Sequence, residues 1–249
     1  MDAAIDWRFP VAVESTRHPR RWSVACHVPG ADFVAASSHL ALACGFFFGL
    51  AGCGAFRAND GAPVQLDVYS AALTCGVGVD REVVRCEGEC GRFDPAGVGV
   101  LANLVERLLP ETTSLSIALP FEPGASALAL GRYPLRLDEL AFTVDVDFQD
   151  RNLEVQVVFA EPVGPQRRAR IDDALSDWWC AAALGAFRDV DQTAFDSSVV
   201  PPQAINWERS AMNFTVEKVR ASDAIVDALV GIVAWIDRHL ATVERLDIT

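Results

Sequence analysis

The residues best suited to chemistry are one imidazole and a group of carboxylates. His27 closes the segment Ser23-Val24-Ala25-Cys26-His27-Val28. A β-strand sends alternate side chains to opposite faces, so Val24, Cys26 and Val28 share one face while Ser23, Ala25 and His27 share the other. Later in the chain Val155, Val157 and Phe159 alternate with Glu154, Gln156 and Val158, and Thr143, Asp145 and Asp147 alternate in a neighbouring run. An imidazole within hydrogen-bond reach of carboxylates can move protons. The same polar groups lining a cleft can hold a ligand. Trp207, between Asn206 and Glu208, can wall such a pocket, although a packing role is the simpler expectation. The candidate site residues are therefore His27, Asp145, Asp147, Glu154, Gln156 and Trp207. The simpler alternative, and the favoured one, is a solvated face, because alternation alone places polar residues outside.

Other chemistry-bearing residues point less far. Seven cysteines are present, an odd number, and Cys44 and Cys53 lie within an apolar helical run, so reduced, partly buried thiols are expected. Cys86 and Cys90 form a pair spaced four apart with no second pair to complete four ligands, so no metal site is expected. Arg57 and Arg188 stand at equivalent helix ends, where a cation complements the helix dipole or, less simply, clamps an anion. No dinucleotide loop, phosphate loop, HExxH or GxSxG motif occurs.

The elements that must position these residues come in two sets. Gly54-Ala55-Phe56-Arg57 recurs as Gly185-Ala186-Phe187-Arg188, an offset of 131 residues. The same offset carries Val24 to Val155, Arg107 to Arg238, Leu115 to Leu246 and Phe47-Phe48 to Trp178-Trp179. A shared offset across most of the chain signals a tandem duplication, with units at 1–119 and 138–249 and a connection at 120–137. Within each unit, alternating runs and helical stripes give the order β-β-α-β-β-α-β. In the first unit the extended runs are 11–15, 22–28, 64–73, 77–87 and 114–119, with a helix entered through Asp94-Pro95. In the second they are 142–148, 153–159, 195–200, 205–219 and 245–249, with a helix capped by Ser222. Trp178 and Trp179, adjacent on a helix, point about 100° apart and cannot both be deep core.

Without its first strand the order is similar to the split β-α-β of a ferredoxin-like unit. That resemblance implies an α+β class with antiparallel sheets carrying helices on one face. The free faces are expected to meet, sheet against sheet, or to join side by side. Ferredoxin-like units serve many functions, so the resemblance names none.

The run 40–56 carries no charge and approaches the ~20 apolar residues of a membrane span. Its repeat partner, near 167–188, carries Arg170, Asp172, Asp173 and Asp177, so both are expected to be packed helices and a membrane span is not expected. The chain has 249 residues and a net charge of −13, which argues against a nucleic-acid partner despite the basic stretch Arg17–Arg21. The N-terminus lacks the apolar core of a secretory signal, so a cytoplasmic setting is expected. The functional expectation is a non-enzymatic module binding a small molecule or a protein. Two alternatives stand beside it: an enzyme with an acid–base site in a cleft between the sheets, and an assembly component that forms homo-oligomers through the 40–56 helix.

Overall fold

The computed structural model describes residues 7–16, 21–56, 74–77, 82–89, 98–119, 140–147, 152–188, 205–218 and 223–249. Arg57, the run at 64–73, Cys90, Asp94-Pro95, the connection at 120–137, the run at 195–200 and Ser222 lie outside these residues. The elements are β1 (Val11–Ser15), β2 (Arg21–His27), α1 (Phe33–Gly52), β3 (Thr74–Val77), β4 (Val83–Glu89), α2 (Val98–Leu108) and β5 (Ser114–Leu119), then β6 (Thr143–Val146), β7 (Leu153–Phe159), α3 (Pro165–Ala183), β8 (Asn206–Trp207), β9 (Ala211–Val216), α4 (Asp223–His239) and β10 (Val243–Ile248). The protein is a mixed α+β structure with two sheets and, among the described residues, four helices.

The sheets have the orders β1-β5-β2-β4-β3 and β6-β10-β7-β9-β8. They are not the wholly antiparallel sheets expected from sequence. β1 runs parallel to β5 and β6 parallel to β10, while the remaining pairs are antiparallel. The cause is topological. The last strand of each set pairs between the first two, so those two are separated and only the second runs against it. The run at 205–219 is also not one strand. Glu208 N donates to Ala211 O, and the chain folds back there into the hairpin β8–β9. The polar Glu208-Arg209-Ser210 sits at the bend, where turn residues belong.

Alternation places the core as expected. Val24, Cys26, Val28, Val155, Val157 and Phe159 are buried under helices, and their alternates are not. Asp32 caps α1 by accepting from Val34 N at 2.9 Å and Ala35 N, and Pro165 opens α3 at its first turn. The repeated Gly-Ala-Phe-Arg has one local explanation. Gly54 and Gly185 adopt φ of +73° and +74° just past the ends of α1 and α3, the left-handed position that favours glycine. The following alanines, Ala55 and Ala186, donate back to Leu50 O and Ala181 O, and both motifs bury their alanine and phenylalanine.

The two sets meet through helices, not through sheet faces. α1 packs on α3 as well as on β3 and β4, and a single core cluster runs through both sets. The layers are sheet, helices, helices, sheet, so the open sheet faces point outward on opposite sides. The turn after each first helix docks on the second helix of the other set. Gly54 abuts Gly231 and Trp235 of α4, while Ala186 O and Arg188 O accept from Asn103 Nδ2 of α2 at 2.9 and 3.0 Å. Trp178 is fully buried and donates to Ile225 O at 3.1 Å, whereas Trp179 is half-buried.

α1 is, by length and composition, apolar enough to cross a membrane. Here it buries Leu40, Ala43, Cys44, Phe47, Phe48, Leu50 and Ala51 within the core. Its outward side toward the N-terminal end keeps Val34, 78% exposed, and Leu42 in solvent.

Asp177 of α3 is a carboxylate set into this helix layer whose ionisation is disturbed. It lies over Gly49 of α1, and burial, with Asp173 one turn earlier, raises its carboxyl from the usual range to about 6. The folded state therefore resists ionising it. No penalty exists while both states are protonated, below about pH 4; the penalty grows between pH 4 and 6 and is constant above. Asp177→Asn should leave stability unchanged near pH 4. At pH 7.5 it should stabilise by about 1 kcal/mol, a figure discounted for the group's partial exposure. Chemical denaturation at the two pH values measures this, and equal effects at both would disprove the account.

Candidate functional site

The six candidate residues divide between three places. Asp145, Asp147, Glu154 and Gln156 share the open face of the second sheet. His27 lies on the open face of the first sheet, with the helix layers between it and them. The expected cleft between sheets therefore does not form, because the helical faces, more apolar than the sheet faces, are what bury each other. Trp207 belongs to neither open face. Its register partner is the buried Met212; its ring stacks on Phe159 at 5.9 Å between centroids, and Arg168 lies 4.7 Å above it. Its indole N–H donates to Asp172 Oδ1 at 2.9 Å. Trp207 is a packing residue that fastens an edge strand to α3.

The second sheet's open face has an order the sequence did not reveal. Register places Asp145 (β6) beside Asp247 (β10), Asp247 beside Gln156 (β7), Gln156 beside Asn213 (β9), and Asn213 beside Asn206 (β8). One row of carboxylates and amides thus crosses every strand of the sheet. At the usual strand spacing it extends about 19 Å. Like charges side by side are unfavourable. Arg245, two residues before Asp247, relieves this by an ion pair to Asp247 at 2.8 Å. Glu154, opposite Thr215, continues the polar surface on the next row. Asp247, Asn213 and Asn206 were missed because strand pairing, not spacing along the chain, brings them into line.

The first sheet's face is different. Ala12, Ser116, Ala25, Arg85 and Gly76 form the corresponding row, mostly small and neutral. At its end His27 has its own partners. Its Nδ1 lies 2.6 Å from Thr113 Oγ1 and its Nε2 lies 3.1 Å from Glu82 Oε2. Sequence reading paired His27 with the wrong carboxylates, since Glu82 is 55 residues away and Thr113 is 86 residues away.

Arg188 is not a dipole-complementing surface cation. It is 8% exposed and pairs with Glu106, 1% exposed, at 2.7 Å. Around them Trp7 Nε1 donates to Asn103 Oδ1 at 2.9 Å, and Arg8 N donates to Glu106 Oε1 at 2.7 Å. Arg8 also reaches the Glu106 carbonyl. This buried knot joins the two sets and is closed to ligands.

No group of three or more His, Cys, Asp or Glu able to hold a metal occurs among the described residues. Cys26, Cys44, Cys53 and Cys180 are free thiols, and burial pushes all four up, Cys26 to about 12 and Cys53 to about 11, so they are weak nucleophiles. Cys86, however, is disulfide-bonded, which corrects the expectation that all the thiols are reduced. The backbone pairing of β3 and β4 sets Cys75 opposite Cys86. Disulfides persist mainly in oxidising surroundings.

No family model matches the sequence, and no curated protein matches it. Among solved structures, the chain aligns over 94% of its length with 80% of a chain from complex III2 of Candida albicans, at 7% identity and a TM-score of 0.22. It aligns over 92% of its length with 70% of a chain from the first half of the periplasmic protease PqqL of Escherichia coli, at 7% identity and a TM-score of 0.20. Likenesses this slight carry no argument about fold or function.

Proposed function

We propose that the chain is a binding module made of two ferredoxin-like repeats, which presents the open face of its second sheet to a basic protein partner. The repeat reading is supported by the strand orders β5-β2-β4-β3 and β10-β7-β9-β8. Numbered within each split β-α-β, both read fourth, first, third, second. It is also supported by the two glycine turns, which share conformation and docking mode.

The observation that carries the binding reading is the row Asp145, Asp247, Gln156, Asn213 and Asn206. The helices are spent on holding the repeats together, which leaves sheet faces as the free surfaces. A row of acceptors and amides on a rigid sheet suits arginine and lysine side chains, which match carboxylates in charge and hydrogen-bonding geometry.

The test uses a synthetic Arg-rich peptide as the probe, titrated calorimetrically at low and moderate salt. Asp145→Asn with Glu154→Gln should weaken binding at least tenfold. A control with the same charge change off this face, Glu111→Gln with Glu161→Gln, should weaken it less than threefold. Equal losses from the two variants would mean that the peptide reads net charge, and the proposed surface would be wrong.

A further inference from the structure

We propose that Thr113 is a base-activated nucleophile, with His27 as its general base and Glu82 as the positioning carboxylate, able to take an acyl group from small, unhindered esters. This is independent of the binding surface proposed above, which lies on the other sheet.

The geometry starts with the backbone. His27 ends β2, the strand hydrogen-bonded to both β5 and β4. Thr113 N donates to His27 O at 2.8 Å on one side, and Val28 N donates to Glu82 O at 2.8 Å on the other. The three residues are thus fixed beside one another by main-chain bonds, so their side chains start from a held frame.

The side chains then form a chain of three: hydroxyl, imidazole, carboxylate. A carboxylate only accepts hydrogen bonds, so Glu82 at 3.1 Å selects the tautomer with its proton on Nε2. Nδ1 is left with its lone pair, and the nearest donor is Thr113 Oγ1 at 2.6 Å. The hydroxyl also lies 3.2 Å from His27 O, but the shorter contact is to the base. A hydroxyl within 2.6–3.2 Å of an imidazole that a third group orients is the general signature of an activated nucleophile. The same neighbourhood is open. His27, Glu82 and Thr113 are all solvent-accessible, and His27's strand neighbours across the sheet are Ser114 and Val83. An open, shallow site admits a small acyl group and gives little grip on a large one.

Thr113 Oγ attacks the ester carbonyl carbon and passes its proton to His27 Nδ1. The bond from that carbon to the leaving oxygen breaks, and His27 returns the proton to the departing alcohol. Water then cleaves the threonyl ester with His27 again as base, releasing the acid and restoring the hydroxyl. Glu82 stabilises the imidazolium that forms in each half.

A fluorophosphonate probe tests this, since attack by the hydroxyl forms a stable P–O bond and expels fluoride. Mass mapping of the unsubstituted protein should find Thr113 modified at least tenfold faster than Ser114, Ser116 or any other hydroxyl. His27→Ala should slow labelling at least tenfold without loss of fold by circular dichroism. Glu82→Gln should slow it, and Glu82→Asp should restore part of the rate, because a carboxylate is what orients the imidazole. A structural clasp would not make labelling follow the carboxylate in this way. Thr113 labelling no faster than Ser116 in the unsubstituted protein overturns the proposal, and that measurement requires no variant to fold.

Discussion

Arg188→Met should destabilise the protein by about 3–5 kcal/mol, read from urea denaturation at pH 7. The reason is Glu106. Its carboxylate is 1% exposed, and the Arg188 guanidinium at 2.7 Å is its closest charged partner. Arg8 also reaches it, at 3.4 Å through Nε and 2.7 Å through the backbone N–H, but the Arg8 side chain is more than half exposed. Losing Arg188 would leave a buried carboxylate with its charge half answered, and the penalty for that is large compared with an ordinary surface pair. The double replacement Glu106→Leu with Arg188→Met should recover most of the loss, because a desolvated ion pair often contributes little more than the apolar residues that would fill its space. Asn103 would still hold the turn after α3 through Ala186 O and Arg188 O, so docking geometry survives the double change. A single substitution costing under about 1 kcal/mol, or a double costing as much as the single, would show that the pair is not what anchors this joint.

The contrast between Arg188 and His27 shows how far a sequence of this kind can be read. Strand faces are legible because period-two alternation is local, and Val24, Cys26, Val155 and Val157 indeed point inward. The helix ends at Gly54 and Gly185 are legible because a left-handed residue favours glycine. The parallel pairing of β1 with β5 is not local; it depends on which strand slips between the first two. The same limit governs the candidate sites. Asp145 and Gln156 were readable as outward-facing, but their alignment with Asp247, Asn213 and Asn206 is a matter of register across strands far apart in sequence. His27 was readable as polar-faced, while Thr113 and Glu82 were invisible beside it because no motif joins them. Glu106 was not legible at all: on a helix with charged Arg107 next to it, nothing in its neighbourhood signals burial.

Gly231→Ala and Gly49→Ala should differ sharply, although an added Cβ would meet a neighbour at 2.3 Å in both cases. At Gly231 the neighbour is backbone. The new carbon would strike Gly54 O and lie 3.3 Å from Gly54 C and 3.4 Å from Ala55 Cα. That turn cannot swing aside alone. Gly54 is held at φ +73° by bonds to the end of α1, and its own position is already closed by Trp235 Cβ at 3.3 Å and Gly231 O at 3.4 Å. The substitution must therefore push α4 away from the turn, and overpacking of this kind costs about 1–3 kcal/mol even after the ~1 kcal/mol that alanine contributes in a helix. At Gly49 the neighbour is the Asp177 carboxylate, Oδ2 at 2.3 Å and Cγ at 3.1 Å. That group is the far end of a side chain that is only half-buried, so it can rotate outward. The helix propensity gain then offsets the lost contact, and the net change should fall within about 1 kcal/mol of zero. The two variants also separate by pH. Turning Asp177 into water removes the burial that raises its carboxyl to about 6. Gly49→Ala should therefore be more favourable at pH 7.5 than at pH 4, whereas Gly231→Ala should cost the same at both. Denaturation of both variants at the two pH values decides the matter. A Gly231→Ala protein as stable as the unsubstituted one would mean that the helix and the turn can part freely, and that the joint between the two sets of elements is looser than the backbone contact at Gly54 requires.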